Sequence, residues 1–144
     1  MEIISYEPKY KEQVLALFDA NCPFYFAAEE RNDFDYYLDH QLELYFVVLE
    51  NETVLGCGGI NFENETAIIS WDMIDPNHHK KGIGSLLLQH RINTIKSLDG
   101  MTKIVVRTSQ HTDGFYEKNG FTLLEVKKNY WAFGFDLYLM EMEL

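Results

Sequence analysis

The segment HHKKGIGSLLLQH, residues 78–90, decides the fold of this chain. Four residues that can carry positive charge precede two glycines and a run of leucines, in a chain whose net charge is −11. The glycine turn leads into a helical pattern that extends to Leu98, and its first N–H groups could hold an anion. The predicted buried face of this helix contains Ile83, Leu87, Leu88, Ile92, Ile95 and Leu98.

Strand patterns flank this helix on both sides. Segments 66–74 and 103–109 are apolar, and a strand–helix–strand unit implies one parallel, right-handed crossover. Segments 44–50 and 53–63 predict a hairpin. The order of elements predicts an α/β (or α+β) fold in one domain, residues 1–144. The other predicted elements are a strand at 2–7, a helix opened by Pro8, a helix at 34–42, a short helix at 112–121, and strands at 121–126 and 135–144.

Composition narrows the class of protein. The acidic balance argues against a nucleic-acid partner, because phosphate backbones need a broad basic surface. Cys22 and Cys57 stand in no metal or redox spacing, which indicates free thiols and no metal site. The N-terminus does not resemble a signal peptide, and no apolar run approaches the ~20 residues of a membrane helix. We therefore expect a cytoplasmic protein that does not associate with membranes.

The glycine turn does not fit the two common nucleotide loops. A P-loop has its lysine after the glycines, whereas Lys80 and Lys81 precede them here. A dinucleotide fingerprint needs a third glycine at the position of Leu87. What remains is a short loop, 76–84, whose N–H groups would hold a phosphate or pyrophosphate, or a glycine-tolerant turn with a solvated basic edge.

Two motifs together resemble the GNAT N-acetyltransferases. HKKGIG at 79–84, preceded by IDP at 74–76, is similar to the signature at the start of that family's central helix. FYEKNGF at 115–121 is similar to its downstream hallmark. The resemblance implies a mixed, mostly antiparallel sheet of about seven strands, with a splayed central pair and about four helices. One residue departs from the pattern, since His79 stands where Gln or Arg is usual.

The resemblance implies acetyl-CoA as the co-substrate. The pantetheine arm would contact the main chain of Met73 and Ile74, and a strand N–H there would polarise the acyl carbonyl. Tyr116 occupies the general-acid position. Asp72 is the first choice of base, with Glu29 and Glu30 as alternatives. The pyrophosphate would be held by His79, Lys80, Lys81, Gly82, Ile83, Gly84 and Ser85.

The implied activity is transfer of acetyl to a primary amine by direct attack in a ternary complex. Segments 22–37 and 129–135 would line the acceptor pocket, where aromatic walls with carboxylates suit a cationic amine. A non-catalytic acyl-CoA sensor or interaction module of the same fold stays open, and so does a homodimer. The predicted acceptor-binding residues are Phe26, Glu29, Glu30, Tyr130 and Trp131.

Overall fold

The computed structural model describes residues 1–144 as a seven-stranded sheet with four α-helices. Three short 3-10 turns, at Pro8–Tyr10, Ala28–Glu30 and Pro76–His78, lie outside the helices. No helix has the length and apolar character needed to cross a membrane. The strands are β1 (Glu2–Ser5), β2 (Leu44–Glu50), β3 (Thr53–Glu63), β4 (Thr66–Ile74), β5 (Lys103–Thr108), β6 (Thr122–Ala132) and β7 (Phe135–Glu143), and the helices are α1 (Lys11–Ala20), α2 (Arg31–His40), α3 (Ile83–Lys96) and α4 (Asp113–Lys118).

The sheet has one parallel pair, and this pair separates part of the way along. The strand order is β1-β2-β3-β4-β5-β7-β6, with β4 and β5 parallel and every other pair antiparallel. Residues 66–69 of β4 pair with residues 103–106 of β5. Beyond Ile69, β4 runs on to Ile74 without β5 as a partner, so a gap opens between the two strands. The predicted α/β fold with a splayed central pair is confirmed.

A bulge in β4 gives this gap its shape. Gly59 pairs with Ser70 and Cys57 pairs with Met73, so two residues of β4 lie opposite the single residue Gly58. One of them, Trp71, has a φ of 46°, which is unusual for a bulky residue and typical of an inserted position. The bulge turns the end of β4 relative to its beginning and directs the following residue, Asp72, toward the centre of the fold.

Each face of the sheet carries its own hydrophobic core. The helix α3 packs its apolar face on one side, and α1 and α2 pack on the other through residues such as Phe18 and Phe34. The β2–β3 hairpin closes through Asn51 and Glu52, both with positive φ, which is the backbone that two-residue hairpin loops require. The buried residues of α3 are Ile83, Leu87, Leu88, Arg91, Ile92 and Ile95.

The structure corrects several predicted boundaries. The helix α3 ends at Lys96, and Leu98 is exposed rather than part of the buried face. The strand predicted to end at 126 continues as β6 to Ala132. Its bulge, which includes Asn129 with a φ of 52°, breaks the alternation of side chains that marks a strand in sequence. The predicted pocket segment 129–135 is therefore the end of a hairpin and not a free loop.

Candidate active site

The gap between β4 and β5 opens into a cleft of about 800 Å³. Its walls come from the ends of the two strands, from α4, from the segment between α1 and α2, and from the β6–β7 hairpin. Of the predicted site residues, the cleft lining includes Phe26, Glu30, Asp72, Met73, Ile74, His79, Gly84, Tyr116 and Trp131. One cleft thus brings together the predicted acid, the predicted base and part of each predicted binding segment.

A buried three-residue network lies at the base of the cleft. The Oδ2 atom of Asp72 accepts a hydrogen bond from Nη2 of Arg91 at 2.8 Å and another from the Tyr116 hydroxyl at 2.5 Å. Nη1 of Arg91 donates to the carbonyl oxygen of Gly59 at 3.2 Å. The Arg91 side chain is 1% exposed and that of Asp72 is 19% exposed, so the ion pair is largely screened from water. The second carboxylate oxygen of Asp72, Oδ1, has no partner within the chain.

Gly58 provides the space for this network. A Cβ atom at Gly58 would lie 2.8 Å from Cβ of Asp72 and 2.9 Å from Cζ of Arg91. Both distances are shorter than van der Waals contact, so any side chain would push the ion pair apart. The bulge in β4 and the glycine opposite it therefore form one unit, which lets a charged pair sit between the sheet and α3.

Tyr116 is held as a neutral phenol. The residue is 3% exposed, and its ring packs edge-on against Phe115 and Phe121. Burial raises the pKa of Tyr116 well above its ordinary value, and the neighbouring Asp72 charge raises it further. At neutral pH the hydroxyl therefore keeps its proton, and this proton lies in the hydrogen bond to Asp72.

The first turn of α3 offers free backbone donors at the mouth of the cleft. The N–H groups of Ile83, Gly84 and Ser85 donate to no backbone or side-chain acceptor of the chain. Gly82, which precedes them, has a φ of 79° with no side-chain cap and open space around it. Three free donors at the positive end of a helix dipole fit a pyrophosphate such as that of coenzyme A.

Glycine has a different role at each of the two positions in this turn. Gly82 is required by its left-handed backbone, whereas the Cα of Gly84 faces the Phe115 ring, which a Cβ atom would approach to 3.4 Å. The side chain of Ile83 is buried in the core, so only its main chain can contact a ligand. Lys80 and Lys81 are exposed, and neither forms an ion pair.

His79, the departure from the family pattern, folds back toward the end of β4. Its Nε2 donates to the carbonyl oxygen of Ile74 at 3.1 Å, and its ring packs edge-on against Tyr25. The amide of Asn21 donates to the same carbonyl, also at 3.1 Å. This carbonyl, which we expected to contact a pantetheine arm, thus already has two partners within the chain. The side chain of His79 lines the cleft wall and does not project from the turn toward solvent.

The end of the cleft beside Trp71 is aromatic. The ring of Trp71 stacks on Phe34 at 5.0 Å and on Phe26 at 6.1 Å, and Trp131 stands on the opposite wall. Nε1 of Trp131 donates to the Thr108 carbonyl at 3.1 Å, which fixes the ring. Phe26 and Trp131 therefore both line the cleft, and their contact with an acceptor stays a prediction.

Of the two predicted acceptor carboxylates, only Glu30 lines the cleft, and one of its oxygens is engaged in a cap. Oε2 of Glu30 accepts from the N–H of Ala27 at 3.0 Å, which caps the turn before α2. Burial raises the pKa of Glu30. Glu29 is exposed and lies outside the lining, and so does Tyr130, which packs against the guanidinium of Arg107. Glu29 and Tyr130 are therefore not part of the cleft as predicted, whereas an acceptor contact of Glu30 stays a prediction.

Two arginines of the cleft, Arg91 and Arg107, were missed in the sequence. Arg91 follows Leu87 by four residues, so it lies on the stripe that the helical pattern marks as buried. An arginine on the buried face of a helix needs a buried partner, so its position in the sequence could have indicated the ion pair. Nothing in the pattern of β5 distinguishes Arg107 from a residue on a solvated edge.

No group of three or more His, Cys, Asp or Glu side chains is arranged to hold a metal ion.

Comparison with solved structures gives the same architecture. The crystal structure of an aminoglycoside 6'-N-acetyltransferase complexed with coenzyme A superposes with a TM-score of 0.80 at 15% identity, over 99% of this chain and 97% of that one. The ribosomal-protein-S18-alanine N-acetyltransferase from Escherichia coli gives 0.81 at 19%, over 99% and 92%. An IAA acetyltransferase from Bacillus cereus gives 0.76 at 22%, over 99% of both chains. At these identities the likeness concerns the fold.

The sequence itself identifies the family. No curated protein sequence matches the chain. The profile of the family described as Acetyltransferase (GNAT) family matches residues 14–121 of the 144. The fold and the match to this family profile together place the chain in the class of acyltransferases. The chain belongs to the GNAT acetyltransferase family.

Proposed function

We propose that this protein is an acetyl-CoA-dependent N-acetyltransferase that acts on a primary amine. The observation that carries the proposal is the Asp72–Tyr116 hydrogen bond in the same cleft as the free N–H groups of α3. One end of the cleft offers donors for a pyrophosphate, and the other offers a proton acceptor next to a proton donor. The solved structures named above include amine acetyltransferases, which supports an amine as the acceptor.

The proposed binding mode uses main-chain groups more than charged side chains. Ile83, Gly84 and Ser85 would donate to the pyrophosphate, and Gly82 would keep the turn open for its approach. Lys80 and Lys81, which are exposed, would add positive charge around the same turn, whereas the His79 side chain is bonded to the Ile74 carbonyl. Met73 and Ile74, at the end of β4, would border the pantetheine arm in the gap between the strands.

The proposed chemistry is direct transfer. Acetyl-CoA supplies the acetyl group as a thioester, so the amine nitrogen forms a C–N bond as the C–S bond breaks. The free Oδ1 of Asp72 would take the proton of the attacking amine, directly or through one water. Tyr116 would give its hydroxyl proton to the departing sulfur, and the proton held on Oδ1 of Asp72 would then pass to the Tyr116 oxygen through one water, while Oδ2 stays 2.5 Å from that oxygen. The net result moves one proton from nitrogen to sulfur, and no phenolate accumulates, which agrees with the raised pKa of Tyr116.

A covalent route through cysteine has little support. Burial raises the pKa of the Cys57 thiol to about 12, and burial also raises the pKa of Cys22. The thiolate is the nucleophilic form of cysteine, so both residues are held in the unreactive form. No histidine pairs with either sulfur to act as a base. This favours attack by the amine itself.

An assay of thiol release from acetyl-CoA across a panel of amines tests the proposal. We expect release that depends on the amine, together with a higher thermal midpoint when acetyl-CoA is added, because a ligand of the folded state stabilises it by mass action. A thermal shift without release across the panel would favour a non-catalytic acyl-CoA sensor. No thermal shift at ~1 mM acetyl-CoA would contradict the assignment of the α3 turn as its site.

A further inference from the structure

Arg107 stands at the point where the two central strands part. It follows Val106, which pairs with Ile69 in the last register pair between β4 and β5. Residues alternate faces along a strand, so Arg107 projects from the same face as Val105 and its partner Ile68. Arg107 lines the cleft and is exposed to it. Its guanidinium therefore belongs to the acceptor end of the cleft and not to the core.

Two aromatic rings hold this guanidinium in place. Its Cζ lies 5.2 Å from the ring centroid of Tyr130 and 5.5 Å from that of Trp131. Nη2 donates to the Tyr130 hydroxyl at 2.6 Å. The rings cover part of the cation but accept only one of its five N–H groups, so the remaining donors are free. A guanidinium that is held between aromatic rings and has free N–H donors is preorganised to bind an anion.

Charge sets Arg107 apart from the other arginines. Arg31 pairs with Asp19 and Arg91 pairs with Asp72, whereas no carboxylate lies within ion-pair distance of Arg107. This is unusual in a chain with 23 acidic residues and three arginines. Of the three carboxylates that line the cleft, Glu30 caps its turn, Asp72 holds Arg91, and Asp113 at the start of α4 forms no ion pair with Arg107. Arg107 is therefore a cation of the cleft without a carboxylate partner.

We propose that the acceptor is a primary amine that also carries a carboxylate, and that Arg107 binds this carboxylate. The inference rests on the proposed acetyltransferase function and replaces the cationic amine expected from the sequence. A planar guanidinium fork matches a carboxylate with two parallel hydrogen bonds. The aromatic walls formed by Phe26, Trp71 and Trp131 favour an apolar side chain, so an apolar α-amino acid combines the three features.

Matched pairs of amines test this assignment. Phenylalanine and phenethylamine, or tryptophan and tryptamine, differ only in the carboxylate, and thiol release gives kcat/KM for each. We expect the parent protein to prefer the carboxylate member, and Arg107→Gln to lower that preference by about tenfold to a hundredfold. Arg107→Lys, which keeps the charge without the fork, should give an intermediate ratio. The difference in amine pKa within a pair cancels when variant and parent are compared.

Lys127→Gln is the matched control. Its Nζ lies 5.8 Å from the Tyr130 centroid, but it pairs with Glu125 and does not line the cleft. This variant removes one positive charge nearby and should leave the ratio of the pair unchanged. Thermal midpoints of all variants report folding, which Arg107 should affect little because it is exposed. An Arg107→Gln ratio equal to that of the parent would overturn the proposal.

A binding measurement separates this proposal from the proposed function. Calorimetry of the coenzyme A complex with N-acetylphenylalanine and N-acetylphenethylamine requires no turnover. Carboxylate-dependent binding that Arg107→Gln abolishes, without thiol release from any amine, would support the carboxylate site and contradict catalysis. Thiol release without a carboxylate preference would support catalysis and overturn the site. Absence of both release and carboxylate-dependent binding would overturn both.

Discussion

Arg91→Met tests whether the buried ion pair organises the catalytic end of the cleft. The substitution keeps a long apolar side chain on α3 but removes the cation that donates to Asp72 at 2.8 Å and to Gly59 at 3.2 Å. Removal of one partner of a buried pair costs about 3–5 kcal/mol because the other charge stays buried. Asp72 keeps the Tyr116 hydrogen bond and is 19% exposed, so we expect the lower end of this range, about 3 kcal/mol. For a chain of this length, that corresponds to a thermal midpoint lower by about 12 °C.

Urea unfolding measures the loss, and the chain provides a control cation. Lys11 is bonded to Asp35 at 2.7 Å and to Asp39 at 2.8 Å, yet all three side chains are more than a quarter exposed. Lys11→Met should therefore cost much less than Arg91→Met, because exposed pairs contribute little. Adding Asp72→Asn to Arg91→Met should recover at least about 1.5 kcal/mol relative to additive costs. Equal losses for the Arg91 and Lys11 variants, or strict additivity, would refute the reasoning.

Two further predictions concern the glycine turn and the acid. Gly82 and Gly100 both have left-handed backbones with open space around them, so Gly82→Ala and Gly100→Ala should each lower the free energy of unfolding by about 1–2 kcal/mol. Only Gly82→Ala should weaken acetyl-CoA binding, which calorimetry measures. Equal acetyl-CoA affinities of the two variants would contradict the assigned turn. Because burial raises the pKa of Tyr116, the acid form persists as pH rises, so kcat/KM should show no descending limb from Tyr116 between about pH 6 and about pH 10. A limb near pH 9 that Tyr116→Phe removes would contradict this.

The elements that the sequence predicted well are those with a regular local pattern. The helix after Gly82 and the strands β2, β3, β4 and β7 show clear periodicity, and their positions agree with the structure. The mixed sheet with a splayed pair could be predicted because the order of motifs and strands matched one family, and the structure confirms it. Ends and irregular strands were less predictable. The strand β6 contains a bulge, and α2 begins at Arg31, directly after a 3-10 turn that the Glu30 side chain caps, a feature that periodicity does not report.

The contacts within the site were less predictable than the residues that line it. Tyr116 and the glycine turn lie in motifs, whereas the Arg91–Asp72 pair joins residues 19 positions apart through a bulge in β4. The pairing depends on Gly58, whose role appears only when the strand and α3 are packed together. Glu30 shows the opposite error, since an acid near an aromatic segment suggested substrate binding but serves as a cap. Tertiary contacts, and not residue type, decide which charges in the cleft are free.

Acetyl transfer measured in Tyr116→Phe tests the central claim most directly. The control is Tyr37→Phe, which removes the hydroxyl of another buried tyrosine, bonded to Asn61 at 2.6 Å and outside the cleft. Tyr116→Phe should lower kcat by about 100-fold or more while the Kd for acetyl-CoA stays the same, because general acid catalysis contributes at least that factor. Tyr37→Phe should retain the parent rate. An unchanged kcat in Tyr116→Phe, or an equal loss in both variants, would contradict the assignment of the Asp72–Tyr116 pair as the catalytic centre.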